Sequence, residues 1–109
     1  MGNSDQSAAG KCLHVVTLGC KDAAHASQCL QALAAYGRPD ALAYGAESYE
    51  FGLSPGQADR ITLVERWKTF ADLDKLLVEK VVPALPVYNA LLARPFDPAS
   101  DTLRIQLAD

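Results

Sequence analysis

A chain of 109 residues has the size of one folding unit, and with half its residues hydrophobic and 21% charged it has a globular balance. Its net charge of −3 comes from interspersed acids and bases without a Lys/Arg cluster, so it offers no footprint for a phosphate backbone. No apolar stretch reaches the roughly 18 residues of a membrane helix, so neither nucleic acid nor membrane is an expected partner.

Met1 to Lys11 is small and polar with no apolar h-region, and residues 1–11 are expected to be a disordered tail preceding a single domain over residues 12–109. The Met-Gly start lacks the Ser or Thr at position six that myristoylation requires, since Gln6 stands there. Cys12 to Gly19 is a compact β-branched and apolar run, expected to be a central strand buried on both sides. Asp22 then offers an N-cap, and Ala26, Cys29, Leu30 and Leu33 follow helical spacing towards a stop at Gly37, with Pro39 two residues on.

Ala43 to Gly52 and Arg60 to Trp67 alternate on either side of Ser54-Pro55-Gly56 and are expected to pair as a hairpin. Thr69-Phe70-Ala71-Asp72 has capping-box spacing with Asp in place of Glu, and Phe70, Leu73, Leu77 and Val81 line one face of a second helix that Pro83 is expected to close. Pro86 suits the first turn of a further short helix, with Tyr88 and Leu92, or Val87 and Leu91, turned inward. A last strand over Thr102 to Leu107 alternates Leu103, Ile105 and Leu107 against Arg104 and Gln106.

The order β-α-β-β-α-(α)-β predicts an α+β, ferredoxin-like fold: a four-stranded antiparallel sheet with its helices on one face. The other face is then bare, with Val16, Leu18 and Val64 as candidates to point out of it. A homodimer through that open face is expected, since it buries the apolar surface. Cys12, Cys20 and Cys29 are odd in number and lack CxxC spacing or a nearby histidine pair, so no disulfide framework and no metal site is signalled and a reducing cytoplasm is expected.

The run Leu63-Val64-Glu65-Arg66-Trp67-Lys68-Thr69-Phe70, with Glu47-Ser48-Tyr49-Glu50-Phe51 before it, places Glu-x-Trp at the junction of the third strand with the second helix. In this the chain resembles the antibiotic biosynthesis monooxygenase family over roughly Leu13 to Leu107. The resemblance implies a dimeric α/β barrel with a pocket between sheet and helices. It implies a monooxygenase, independent of any cofactor, acting on an aromatic, polyphenolic or polyketide-like small molecule, with Trp67 in the pocket. Family members often carry a histidine about nine residues after that tryptophan, where this chain has Leu76, and haem-degrading relatives use an asparagine on the first strand, where it has Val16 or Thr17. Two alternatives stand beside the oxygenase: a non-catalytic dimeric binding protein, and a cyclase or isomerase of the same fold.

Each candidate residue carries two readings. His14 is a packed strand histidine or a base, and Trp67 a core aromatic or a pocket wall. Glu65 shares the face of Trp67, where a carboxylate is tolerated only if paired; it is a functional acid, or the partner of a tyrosine hydroxyl or of Arg104. Tyr44, Tyr49 and Tyr88 could present hydroxyls to a phenolic ligand, and Asn89 could hydrogen-bond it. His25 is given no role, and Cys20 is taken as the one exposed thiol.

Overall fold

The computed structural model describes residues 11–108. The tail expected over residues 1–11 lies outside these apart from Lys11, whose carbonyl accepts the Leu107 N–H at 2.7 Å. Strand β1 spans Cys12–Gly19, β2 Ser48–Leu53, β3 Arg60–Trp67 and β4 Thr102–Gln106, all antiparallel in the order β2-β3-β1-β4. This is the ferredoxin-like α+β arrangement, with β1 central as its apolar sequence demands.

Helix α1 (Ala23–Ala32) starts at Asp22, whose side chain accepts the His25 N–H, and runs through a π-helical turn (Leu33–Gly37) directly into α2 (Arg38–Ala43). The expected stop at Gly37 and Pro39 is therefore overturned. In the wide turn the Arg38 N–H reaches back to the Leu33 carbonyl, and Pro39 follows at the first turn of a renewed helix, where its missing N–H costs little. Because the helix continues to Ala43, the expected strand start at Ala43 moves to Ser48, after a reversal at Gly45, whose φ of 112° suits only glycine.

The second helix repeats the device. Helix α3 (Phe70–Leu76), capped by Thr69 accepting the Asp72 N–H, passes through a π turn (Leu77–Val81) into α4 (Val82–Asn89). Pro83, expected to close the helix, begins α4, and Pro86, expected to open a separate helix, lies inside it. Of the two inward pairs considered, Leu92 is buried and Tyr88 partly so, while Val87 is exposed. A one-turn α5 (Pro98–Asp101), capped by Asp97, leads into β4.

All helices packed on the sheet cover one face. Cys12, His14, Val16 and Leu18 of β1 lie under them, as do Ile61, Leu63, Glu65 and Trp67 of β3. The expectation that Val16 and Leu18 point out of the open face is thus reversed: β1 is apolar on both sides, so hydrophobicity could not set its parity, and the cross-strand pairs His14 with Glu65 and Val16 with Leu63 do. The uncovered face instead carries Leu13, Val15, Thr17, Val64 and Ile105, with Val64 as expected. Cys20 is also buried, contrary to its expected exposure, because its N–H bonds to the Asp59 carbonyl and its backbone bridges to Leu92.

Candidate functional site

Between the covered face and the two π-broken helices lies a cavity of about 530 Å³, within the range of small-molecule sites. Its walls are mostly aliphatic. Both π turns contribute, Leu33, Tyr36 and Gly37 from one and Leu77, Lys80 and Val81 from the other. Gly37 belongs there because a Cβ on it would collide with the Tyr49 hydroxyl; its smallness serves close packing inside a helix.

The floor is polar. Trp67 Nε1 donates to Glu65 Oε1 at 2.8 Å, and His14 Nδ1 lies 3.3 Å from the same oxygen. Glu65 and Trp67 are two apart on β3, and His14 is the cross-strand partner of Glu65, so the period of two alone brings all three side chains together. His14 is 3% exposed and Glu65 4%, and burial of this kind is tolerated because each has a partner. An oxygen that already accepts the indole N–H serves Nδ1 as an acceptor too. That places the imidazole proton on Nδ1 and leaves Nε2, which makes no hydrogen bond among the described residues, as a lone-pair acceptor.

Two phenols also line the cavity, Tyr49 beside Glu65 on the sheet and Tyr88 on α4. Burial, and after it the negative Glu65, raises Tyr49 well above the usual phenol range. Burial, with Cys29 and Asp40 adding to it, raises Tyr88 to about 12. Both hydroxyls therefore keep their protons at neutral pH and can only donate to an anion or accept from a donor.

The structure brings together His14, Glu65, Tyr49 and Tyr88 on the cavity wall and leaves Trp67 and Asn89 off it. Trp67, fully buried, stands behind Glu65 and reaches the cavity only through that carboxylate. Asn89 Oδ1 accepts the Phe96 N–H at 2.9 Å and so fixes an aromatic that does line the cavity. Glu65 is partnered by Trp67 and His14 rather than by a tyrosine or Arg104, whose guanidinium turns to Asp74. Tyr44 donates to Glu79 at 2.7 Å outside the cavity. Sequence reasoning missed Phe96 and the rim of Tyr36, Asp40 and Lys80. For Phe96 a signal existed, an aromatic held between Pro95 and Pro98 in an otherwise polar loop. Leu76, in place of the histidine that the resemblance implies, also lines the cavity. Among the described residues no cluster of side chains could hold a metal ion, and no helix is long and apolar enough to cross a membrane.

No family model matches this chain, and no curated protein does. Solved structures do. A putative antibiotic biosynthesis monooxygenase from Chloroflexus aurantiacus is 16% identical over 90% of this chain and 93% of its own, with a TM-score of 0.67. A protein from Shewanella oneidensis is 20% identical over 91% and 94%, with a TM-score of 0.69. A dimeric ferredoxin-like protein from an uncultured marine organism is 11% identical over 98% and 96%, with a TM-score of 0.72. The chain therefore has the α+β fold that the resemblance implies, shared with monooxygenase-like and dimeric ferredoxin-like proteins.

Proposed function

We propose that this protein is an oxygenase that takes a proton from a phenolic or enolic aromatic substrate and lets the resulting anion react with dioxygen. The observation that carries the reading is the shared oxygen: Glu65 Oε1 ties Trp67 and His14 together on the floor of an otherwise apolar cavity. A carboxylate that holds an imidazole through Nδ1 makes Nε2 a general base, a role worth about 10²–10⁴ in rate. Tyr49 and Tyr88, protonated at neutral pH, donate to the oxyanion that forms, and aliphatic walls keep water from it. Trp67 is then a positioning residue.

With an anthrone, the ring CH₂ loses both hydrogens and gains one oxygen atom as a carbonyl. The O–O bond breaks, the second oxygen leaves as water, and the substrate supplies all four electrons, so the reaction calls on no cofactor. A second reading is proton transfer alone, as in an isomerase or cyclase. Leu76 favours it, since with a leucine at that position His14 is the one imidazole on the cavity wall, enough for a single transfer. A non-catalytic binding protein is the limiting case.

Dioxygen uptake by purified protein with a panel of anthrones and hydroquinones decides among these. The oxygenase reading expects uptake above autoxidation that falls about 10²-fold in His14→Ala and in Glu65→Gln. Substrate turnover without uptake points to the isomerase, and binding without turnover to the carrier.

Two features complete the proposal. The aliphatic patch of Leu13, Val15 and Val64 on the uncovered face, on a fold shared with a protein described as dimeric, supports a homodimer closed through that face. Three buried free thiols support one domain working in the reducing cytoplasm.

A further inference from the structure

A second cavity, of about 410 Å³, shares His14, Leu77, Val81, Leu85 and Phe96 with the first. His14 thus stands in the wall between two spaces, and the second runs from it towards Thr102 and Arg104 on β4. The pairing of His14 with Arg104 across β1 and β4 puts both side chains on the covered face, with Cα atoms roughly 4.5–5.5 Å apart. Arg104 is the one residue on the wall of this second space that carries a fixed charge.

Its guanidinium is held over the Phe70 ring, 5.1 Å from the centroid, and bonds to Asp74. That pair is open to solvent, with the Arg104 side chain 37% and the Asp74 side chain 57% exposed, so the attachment is weak and exchangeable. Five planar donors leave room for a second carboxylate even while Asp74 is bound. Asp40 lines the main cavity and not the second space, so a carboxylate is better placed at the Arg104 end.

From this arrangement we infer that the ligand space continues past His14 to Arg104, and that the natural ligand is an aromatic acid whose carboxylate lies on Arg104 while its ring system occupies the main cavity. The inference rests on the proposal that the main cavity binds a small aromatic molecule. Lys80, the other cation on these walls, shares the rim with Asp40 and serves as the control.

The test is a fluorescence titration at neutral pH with rhein, a dihydroxyanthraquinone carboxylic acid, and with its methyl ester. The wild-type protein should bind the acid about tenfold more tightly than the ester, a preference of the size a charge-assisted pair gives. Arg104→Gln should abolish the preference by weakening the acid alone, Asp74→Asn should tighten the acid by removing its competitor, and Lys80→Gln should leave the preference intact. Equal wild-type affinity for acid and ester overturns the inference, as does loss of the preference in Lys80→Gln rather than Arg104→Gln. Ester binding without preference for the acid leaves the cavity reading standing, whereas failure of both to bind removes the cavity reading and this inference with it.

Discussion

On the covered face of the sheet, β1 and β3 set His14, Glu65 and Trp67 among aliphatic neighbours; on the uncovered face the same two strands present Leu13, Val15, Thr17 and Val64. An antiparallel sheet with helices on one side is usually apolar under the helices and polar towards water, so the buried His14 and Glu65 and the aliphatic Leu13, Val15 and Val64 are the exceptions on their faces. In stability alone, a buried charged set of this kind is commonly matched or bettered by hydrophobic residues of similar volume. The polar groups under the helices point to chemistry, and the aliphatic patch on the open face points to assembly.

The largest effect should come from breaking the covered network without replacing it. Glu65→Leu leaves the Trp67 indole N–H and His14 without their acceptor and should cost about 3–5 kcal/mol in urea unfolding. The triple change His14→Leu, Glu65→Leu and Trp67→Phe should recover most of that loss while remaining inactive. If the triple variant proves as unstable as the single one, the network is structural and the contrast between the faces loses its meaning.

On the uncovered face, Val15→Asp should leave the fold intact but weaken self-association by about 10²-fold, read by analytical ultracentrifugation. An unchanged sedimentation coefficient would overturn the proposed dimer through this face. Gly37→Ala tests the packing above the covered face: the new methyl group meets the Tyr49 hydroxyl and should cost about 1–3 kcal/mol, relieved by Tyr49→Phe.

Smaller effects follow from titration. Tyr88 is raised in the folded state to about 12, so its contribution is complete below the ordinary phenol value near 10 and is lost as pH rises through 12. Tyr88→Phe should flatten that alkaline limb, measured as unfolding midpoint against pH. Asp22 is lowered, first by the His25 backbone N–H and then by the His25 side chain, so its contribution holds above the ordinary carboxylate value and is lost as pH falls through the lower folded one. Asp22→Ala should lower the unfolding midpoint at neutral pH and less so in acid.

The strands and both caps were legible because they depend on local chemistry: the β1 run, the Asp22 carboxylate and the Thr69 hydroxyl act on their own neighbours in the chain. The helix ends were not, since Gly37-Arg38-Pro39 and Val82-Pro83 carry the residues of a stop and only the wide turn before each lets the helix pass. Of the site, the face shared by Glu65 and Trp67 could be read from a period of two, but their meeting with His14 needed the register of β1 against β3. The removal of Trp67 from the cavity wall follows from its indole N–H turning to Glu65, a rotamer choice that no spacing encodes.

Each π turn adds one residue to its helix, which advances everything beyond it by about 100° around the axis. Asp40 on one helix and Ala84, Leu85 and Tyr88 on the other owe their bearing on the cavity to that offset. The binding surface is thus set by phase as well as by residue type. Removing a single residue from Leu77–Val81 would restore an ordinary helix, leave every later side chain chemically unaltered, and swing Tyr88 off the cavity wall.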